Sequence, residues 1–316
     1  MVVTAPRIAV DPWDPSYGTP TGEAGLQEST ARLTIDFELP GDRWKPLDPP
    51  SSTWRPEEVL IVDGIRRVDA RVWFMVDGEP APNLGLAASY AAGVVRINGR
   101  AQLSQAEVRR AILTACPEAE EIRAPLTSYP IIQSAGADPD ALSLTLQQQM
   151  RDLELLVAHS TRSSDDDLLL LDGPLRGRTT IPRTVGYIKT HHAMYLPTEL
   201  NAVVADLRPG QRTPVFTIGT TWSRHTWYIK LPVVSDMPWA GVVRCECADS
   251  LPRDEAFRLA DATTALLPGL ASRAHKDPRA PQNLTPIGGL EKLLRHRLGD
   301  PAKLHRGLVV ATRGDS

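Results

Sequence analysis

Residues 168–178 read LLLLDGPLRGR. Four successive leucines leave no polar face for water, so they predict a strand covered on both sides. The run stops at Asp172, and Gly173 and Pro174 follow. Glycine lets the backbone turn away and leaves the preceding side chain at the strand tip. The fold is read outward from this point, a buried strand that ends on one carboxylate.

A second stretch behaves alike. VLIVDG, residues 59–64, ends its apolar run on Asp63, just before Gly64. Across residues 57–78 two β-rich runs flank this turn-prone pair, which predicts a meander. AAGVVRING at 91–99 adds a strand. SQAEVRRAILTAC at 104–116 opens on Ser104 with Glu107 three residues on, a capping-box pattern that predicts a helix. In PDALSLTLQQQMRDLELLVAHS, residues 139–160, Leu142, Leu146, Met150, Leu153 and Val157 fall at helical spacing. Glu154 lies on that helix, eighteen residues before Asp172, and flanks its apolar stripe.

Further strands are expected at 184–191, 213–219, 225–234 and 240–248, the last three close enough for antiparallel pairing. Helices are expected at 253–267 and 288–299, the latter amphipathic with a basic last turn. The chain is therefore of the α/β class, with a mixed sheet flanked by helices and additional antiparallel strands. Residues 1–56 are rich in Pro and Trp (DPWDPSYGTP, KPLDPPSSTWRP) and predict an extended N-terminal arm, with one strand in STARLTIDFELP. Residues 57–316 form the main domain on this reading.

Composition excludes several classes. At 316 residues with 42% hydrophobic content, the chain can bury a core without staples. No apolar run approaches the roughly 20 residues of a membrane span, and the N-terminus lacks the pattern of a signal peptide. A cytoplasmic location with no membrane partner is the expectation. Cys116, Cys245 and Cys247 lack paired zinc knuckles and predict buried structural thiols. A net charge of −3 excludes an overall basic protein, yet two local basic patches stand out. One gathers Arg176, Arg178, Arg183 and Lys189 with His191 and His192; the other runs from Arg273 to Arg306. No phosphate-cradling G-x-x-x-x-G-K-[ST] loop occurs, so ATP hydrolysis is not expected.

Two strand-end aspartates and one helix glutamate can assemble a divalent-metal site, since hard carboxylate oxygens suit Mn²⁺ or Mg²⁺. An Asp-Gly pair after a strand is also common turn chemistry. His191 and His192 are adjacent, so on a strand they face opposite ways and do not share a ligand.

The ordered set VDGIRRVDARV, MRDLELLVAHS, LLLLDGPLRGR, VGYIKTHHAMY, WYIKLP, GVVRCECA and ASRAHKDP resembles the NurA nuclease family, from about residue 57 to the C-terminus. The resemblance implies an RNase H-like core and a manganese-dependent nuclease that processes DNA ends. It implies a homodimer that partners a hexameric HerA-type ATPase, in repair or in defence against foreign DNA. The family's catalytic and metal-ligating residues fall on Asp63, Glu154, Asp172 and His275. Lys189 falls on a lysine taken as a phosphate contact, and Arg176 and Arg178 beside it are further candidate DNA contacts. Two family features are missing: the serine after the first Asp-Gly is Ile65, and the aromatic usual shortly before the C-terminal histidine is absent from LLPGLASRAH. These departures leave a second reading open, a catalytically weak or inactive adaptor that binds DNA ends for a ring ATPase. A third is an RNA-directed enzyme.

Overall fold

The computed structural model describes residues 27–28, 31–76, 80–162, 164–191, 193–235 and 237–313. The Pro-rich stretch at 11–20 and His192 lie outside the described residues. Strands and helices are numbered in chain order. The first are β1 Gln27–Glu28, β2 Arg32–Thr34, β3 Glu58–Phe74, β4 Asn83–Asn98 and β5 Arg100–Thr114. Then come β6 Ile122–Ala124, β7 Thr127–Tyr129, β8 Ile131–Gln133, α1 Pro139–Thr161, β9 Asp167–Asp172 and β10 Thr184–Ile188. Next are β11 Ala193–Met194, α2 Thr198–Ala205, β12 Phe216–Gly219, β13 Ser223–Lys230 and β14 Val242–Ala248. The chain closes with α3 Arg253–Leu270, α4 Thr285–Arg297 and α5 Pro301–Arg313. The protein is mixed α/β, and it divides into two compact units, residues 1–59 with 164–288 and residues 60–163 with 289–316.

In the first unit the strand order is β2-β12-β13-β14-β10-β9. β9 and β10 are parallel, and β10, β14, β13, β12 and β2 pair antiparallel in turn. Leu168 to Leu171 of β9 are buried without exception, as a strand covered on both sides requires. One face packs on Trp44, Leu196, Leu200 and Val204, which meet Phe216, Ile218, Tyr228 and Val242. Toward α3, the Trp227 indole donates to Thr263 Oγ1 at 3.2 Å. Residues 31–59 belong to this unit: Leu33 pairs with Ile218, and Trp44 enters the core. Cys245 and Cys247 are buried free thiols, and burial pushes both thiols up, well out of the range of reactive thiolates.

In the second unit the order is β3-β4-β5-β8. Two expectations are overturned here. The stretch around Asp63 is no meander, because β3 runs unbroken from Glu58 to Phe74. The segment at 104–116 is no helix but most of β5. The overlooked signal is Asn98 before Gly99, a dipeptide that favours a tight hairpin; Gly99 has φ +71°. From that turn the β4–β5 ladder extends from Asn98↔Arg100 back to Gly85↔Thr114. A ladder of this length satisfies the backbone of both strands, and it buries Ala111, Ile112 and Leu113. That outweighs one local capping pattern, since propensity yields to tertiary context.

Helix α1 forms as its spacing predicts. Asp138 caps it, accepting from Asp140 N and Ala141 N at 3.1 and 2.9 Å. Leu142, Leu146, Met150, Leu153 and Val157 are all buried, and Glu154 is buried among them. Helix α4 lays Leu290 and Leu294, with Leu298 just after it, against Ala91 and Val95 of β4. A further helix, α5, places Leu308 with Ala87, Ile112 and Tyr129. Among the described residues no helix is long and apolar enough to cross a membrane.

Candidate functional site

The same dipeptide, Asp-Gly, has two structural outcomes. At Gly173 the chain turns with φ +96°, and Asp172 is left at the tip of β9. At Gly64 the strand continues, and the missing side chain serves close approach instead. A Cβ at Gly64 would stand 2.6 Å from Glu154 Oε1 and 3.0 Å from Met150 Cγ. Glycine therefore lets the Glu154 carboxylate lie against the strand one residue from Asp63. The Gly64 N–H donates to Asp63 Oδ1 at 2.8 Å. Gly64→Ala is expected to displace Glu154 and to cost about 1–3 kcal/mol, as overpacking does. Thermal unfolding measures this, with Gly269→Ala as control, where no atom lies within 4 Å of the added carbon.

Sequence reasoning missed Glu291. One carboxylate oxygen of Asp63 and one of Glu291 lie within 4.8 Å of each other, close enough to share a cation. Its placement has a packing cause. A Cβ at Gly93 of β4 would meet Leu290 Cδ1 at 2.9 Å, so the glycine lets α4 approach closely at the residue before Glu291. The signal in the sequence was slight: Glu291 is the one acidic residue in α4, whose last turn carries Arg295, His296 and Arg297. Hard oxygen donors of this kind suit Mn²⁺ or Mg²⁺ and disfavour soft metals. Within this unit Asp63 and Glu291 offer such donors.

In the other unit Asp172 is engaged. Tyr187 of β10 pairs with Asp172, so Lys189 lies one strand period beyond and reaches it. Lys189 Nζ is 2.6 Å from Asp172 Oδ2 and donates to Asn283 Oδ1 at 2.8 Å. Asn283 Nδ2 in turn donates to Asp277 Oδ2 at 2.7 Å. Burial pushes the Asp277 carboxyl up, but bonds from Asn283 and Arg279 outweigh it and hold the group below the usual carboxylate range. The network fixes Asp172 as an oriented carboxylate.

The remaining expected site residues are dispersed. His275 is exposed in the turn after α3. Arg176 is exposed, whereas Arg178 is buried. Arg183, from the same basic patch, pairs with Asp167 at 2.9 Å. His191 Nε2 lies 2.9 Å from the Val242 carbonyl, and its ring packs against Trp239. The first basic patch is thus largely committed to internal partners. The second basic stretch keeps more exposed cations, among them Arg273 and Lys276, Lys292, Arg295 and Arg297 on α4, and Lys303 and Arg306 on α5.

No family model matches the chain, and no curated protein matches it. Among solved structures, a crystal structure of NurA is similar over 45% of this chain, at 16% identity and a TM-score of 0.22. The matched part spans about a quarter of that structure's length, 24%.

Proposed function

We propose that the protein is a divalent-metal-dependent nuclease that hydrolyses DNA phosphodiester bonds at strand ends. The observation that carries the reading is the approach of Asp63 and Glu291 within 4.8 Å, with Glu154 against the neighbouring Gly64. Carboxylate oxygens this close can share one divalent cation, which offsets their mutual repulsion. The order of the seven sequence motifs supports a NurA-like role and an RNase H-like core.

On this reading Asp63, Glu154 and Glu291 supply oxygen ligands, and Asp172 is an essential carboxylate held in place by Lys189. His275 acts as proton donor or acceptor at the reacting oxygens. Of the expected DNA contacts Arg176, Arg178 and Lys189, the exposed Arg176 serves the DNA side, and the other two orient the site from within. A bound Mn²⁺ or Mg²⁺ supplies water activation and offsets charge on the phosphate oxygens. The protein works as a homodimer with a HerA-type hexameric ATPase, which supplies the ATP dependence that this chain lacks.

The test is cleavage of matched single-stranded, linear duplex and RNA substrates with Mn²⁺, Mg²⁺ or EDTA, alone and with the ATPase. DNA cleavage that needs the metal is the expected result. The absence of cleavage under every condition would sink the enzyme reading. One observation favours a second reading, a non-cleaving adaptor for DNA ends. The Lys189 ammonium, 2.6 Å from Asp172, already neutralises a carboxylate that a catalytic metal would use. DNA-end binding without cleavage, with no heat of Mn²⁺ binding in calorimetry, would establish that alternative.

A further inference from the structure

A cleft of about 440 Å³ in the same unit starts at Gly64, the residue after Asp63. Its walls include Gly64 and Met150, the two residues that Glu154 packs among, and the arginines Arg66, Arg67 and Arg295. The three cations come from two elements, β3 and the last turn of α4. Arg67 is fixed in place: its Nε bonds Asp69 Oδ1 at 2.8 Å, and Nη1 bonds the Gly299 carbonyl at 2.9 Å. Asp69 neutralises this guanidinium, and it is itself held by Ser89 and Tyr129. Arg67 Nη2 has no protein acceptor among the described residues. Arg66 and Arg295 are exposed and offer guanidinium forks to solvent.

We infer that this cleft seats the phosphodiester backbone of a nucleic-acid strand, with Arg66 and Arg295 as its phosphate contacts. Carboxylates such as Asp63, Glu154 and Glu291 repel a polyanion, so a strand brought to them needs cations within one or two phosphates' reach. Guanidinium forks match phosphate oxygens in geometry and stay charged at any working pH. The cleft provides both on an open surface next to the carboxylates. Phosphate contacts position a strand without reading its bases, so the seat predicts binding that is indifferent to sequence. The inference rests on the nuclease reading only for what happens to the strand after it binds.

The experiment is fluorescence anisotropy of a labelled single-stranded oligodeoxynucleotide of mixed sequence, in EDTA so that no cleavage occurs. Arg66→Glu and Arg295→Glu are each expected to weaken binding about tenfold or more. Arg66→Ala and Arg295→Ala should each lower the slope of log affinity against log salt by about 0.7, the value for one lost contact to a single strand. Arg66→Lys and Arg295→Lys should restore most of the affinity, which a lost structural contact would not. Both side chains are exposed, so unchanged melting curves will confirm intact folding. Wild-type binding that these substitutions leave unaltered overturns the inference while the nuclease reading stands. Binding lost in the variants, from a wild type that never cleaves, overturns the nuclease reading and leaves the cleft assigned. A wild type that binds no nucleic acid overturns both.

Discussion

Asp63→Asn is expected to reduce Mn²⁺-dependent DNA hydrolysis by about 10³-fold or more, roughly 4 kcal/mol of lost transition-state stabilisation. The melting temperature should change little, because an amide of the same shape replaces the carboxylate and still accepts from the Gly64 N–H. Asp172→Asn is expected to match it in activity but not in stability. Lys189, nearly buried, loses the counter-charge 2.6 Å away there, while its bond to Asn283 stays. Removing one partner of a nearly buried ion pair costs several kcal/mol. The double variant Asp172→Asn with Lys189→Met should therefore recover stability and stay inactive. Initial cleavage rates and thermal melts on the same preparations separate the two effects. Wild-type rates in Asp63→Asn would show that this carboxylate takes no part in catalysis.

The second large effect lies far from any chemistry. Arg212 is buried, and its guanidinium bonds Glu38 Oε2 and Oε1 at 2.7 and 2.8 Å and Asp261 Oδ1 at 2.8 Å. Burial pushes the guanidinium pKa down, and the bonds from Glu38 and Asp261 outweigh it. Glu38 Oε2 also accepts from Val215 N at 2.6 Å, so the cluster ties residues 31–59 to β12. Arg212→Ala leaves two carboxylates facing each other without a cation, and it is expected to cost about 3–5 kcal/mol. For a chain of this size the melting temperature should fall on the order of 10 °C. Differential scanning calorimetry measures this directly. A fall of about one degree would show that the cluster contributes little and that β2–β12 pairing and packing hold residues 31–59.

Legibility differed from element to element. The four leucines before Asp172 and the heptad-like stripe of α1 were legible because burial on one or both faces leaves a periodic trace. β5 was misread because its residues suit a helix, and its strand state is imposed by β4 through a hairpin whose signal is two residues long. Asp63–Gly64 was misread as a turn because glycine has two uses, free φ and close approach, and sequence does not distinguish them. Only the position of Glu154 shows which one applies.

The sequence by itself determined that apolar runs end on Asp63 and Asp172, that Glu154 flanks an apolar helical stripe, and that the thiols are structural. These follow from local pattern and residue chemistry. The tertiary structure alone decided that Glu291 faces Asp63, that Lys189 holds Asp172, and that Arg66 and Arg295 share one cleft. Each of those pairs joins residues distant in sequence: Glu291 comes to Asp63 where Gly93 lacks the carbon that would hold α4 away from β4, and Lys189 comes to Asp172 through the register of β10 on β9.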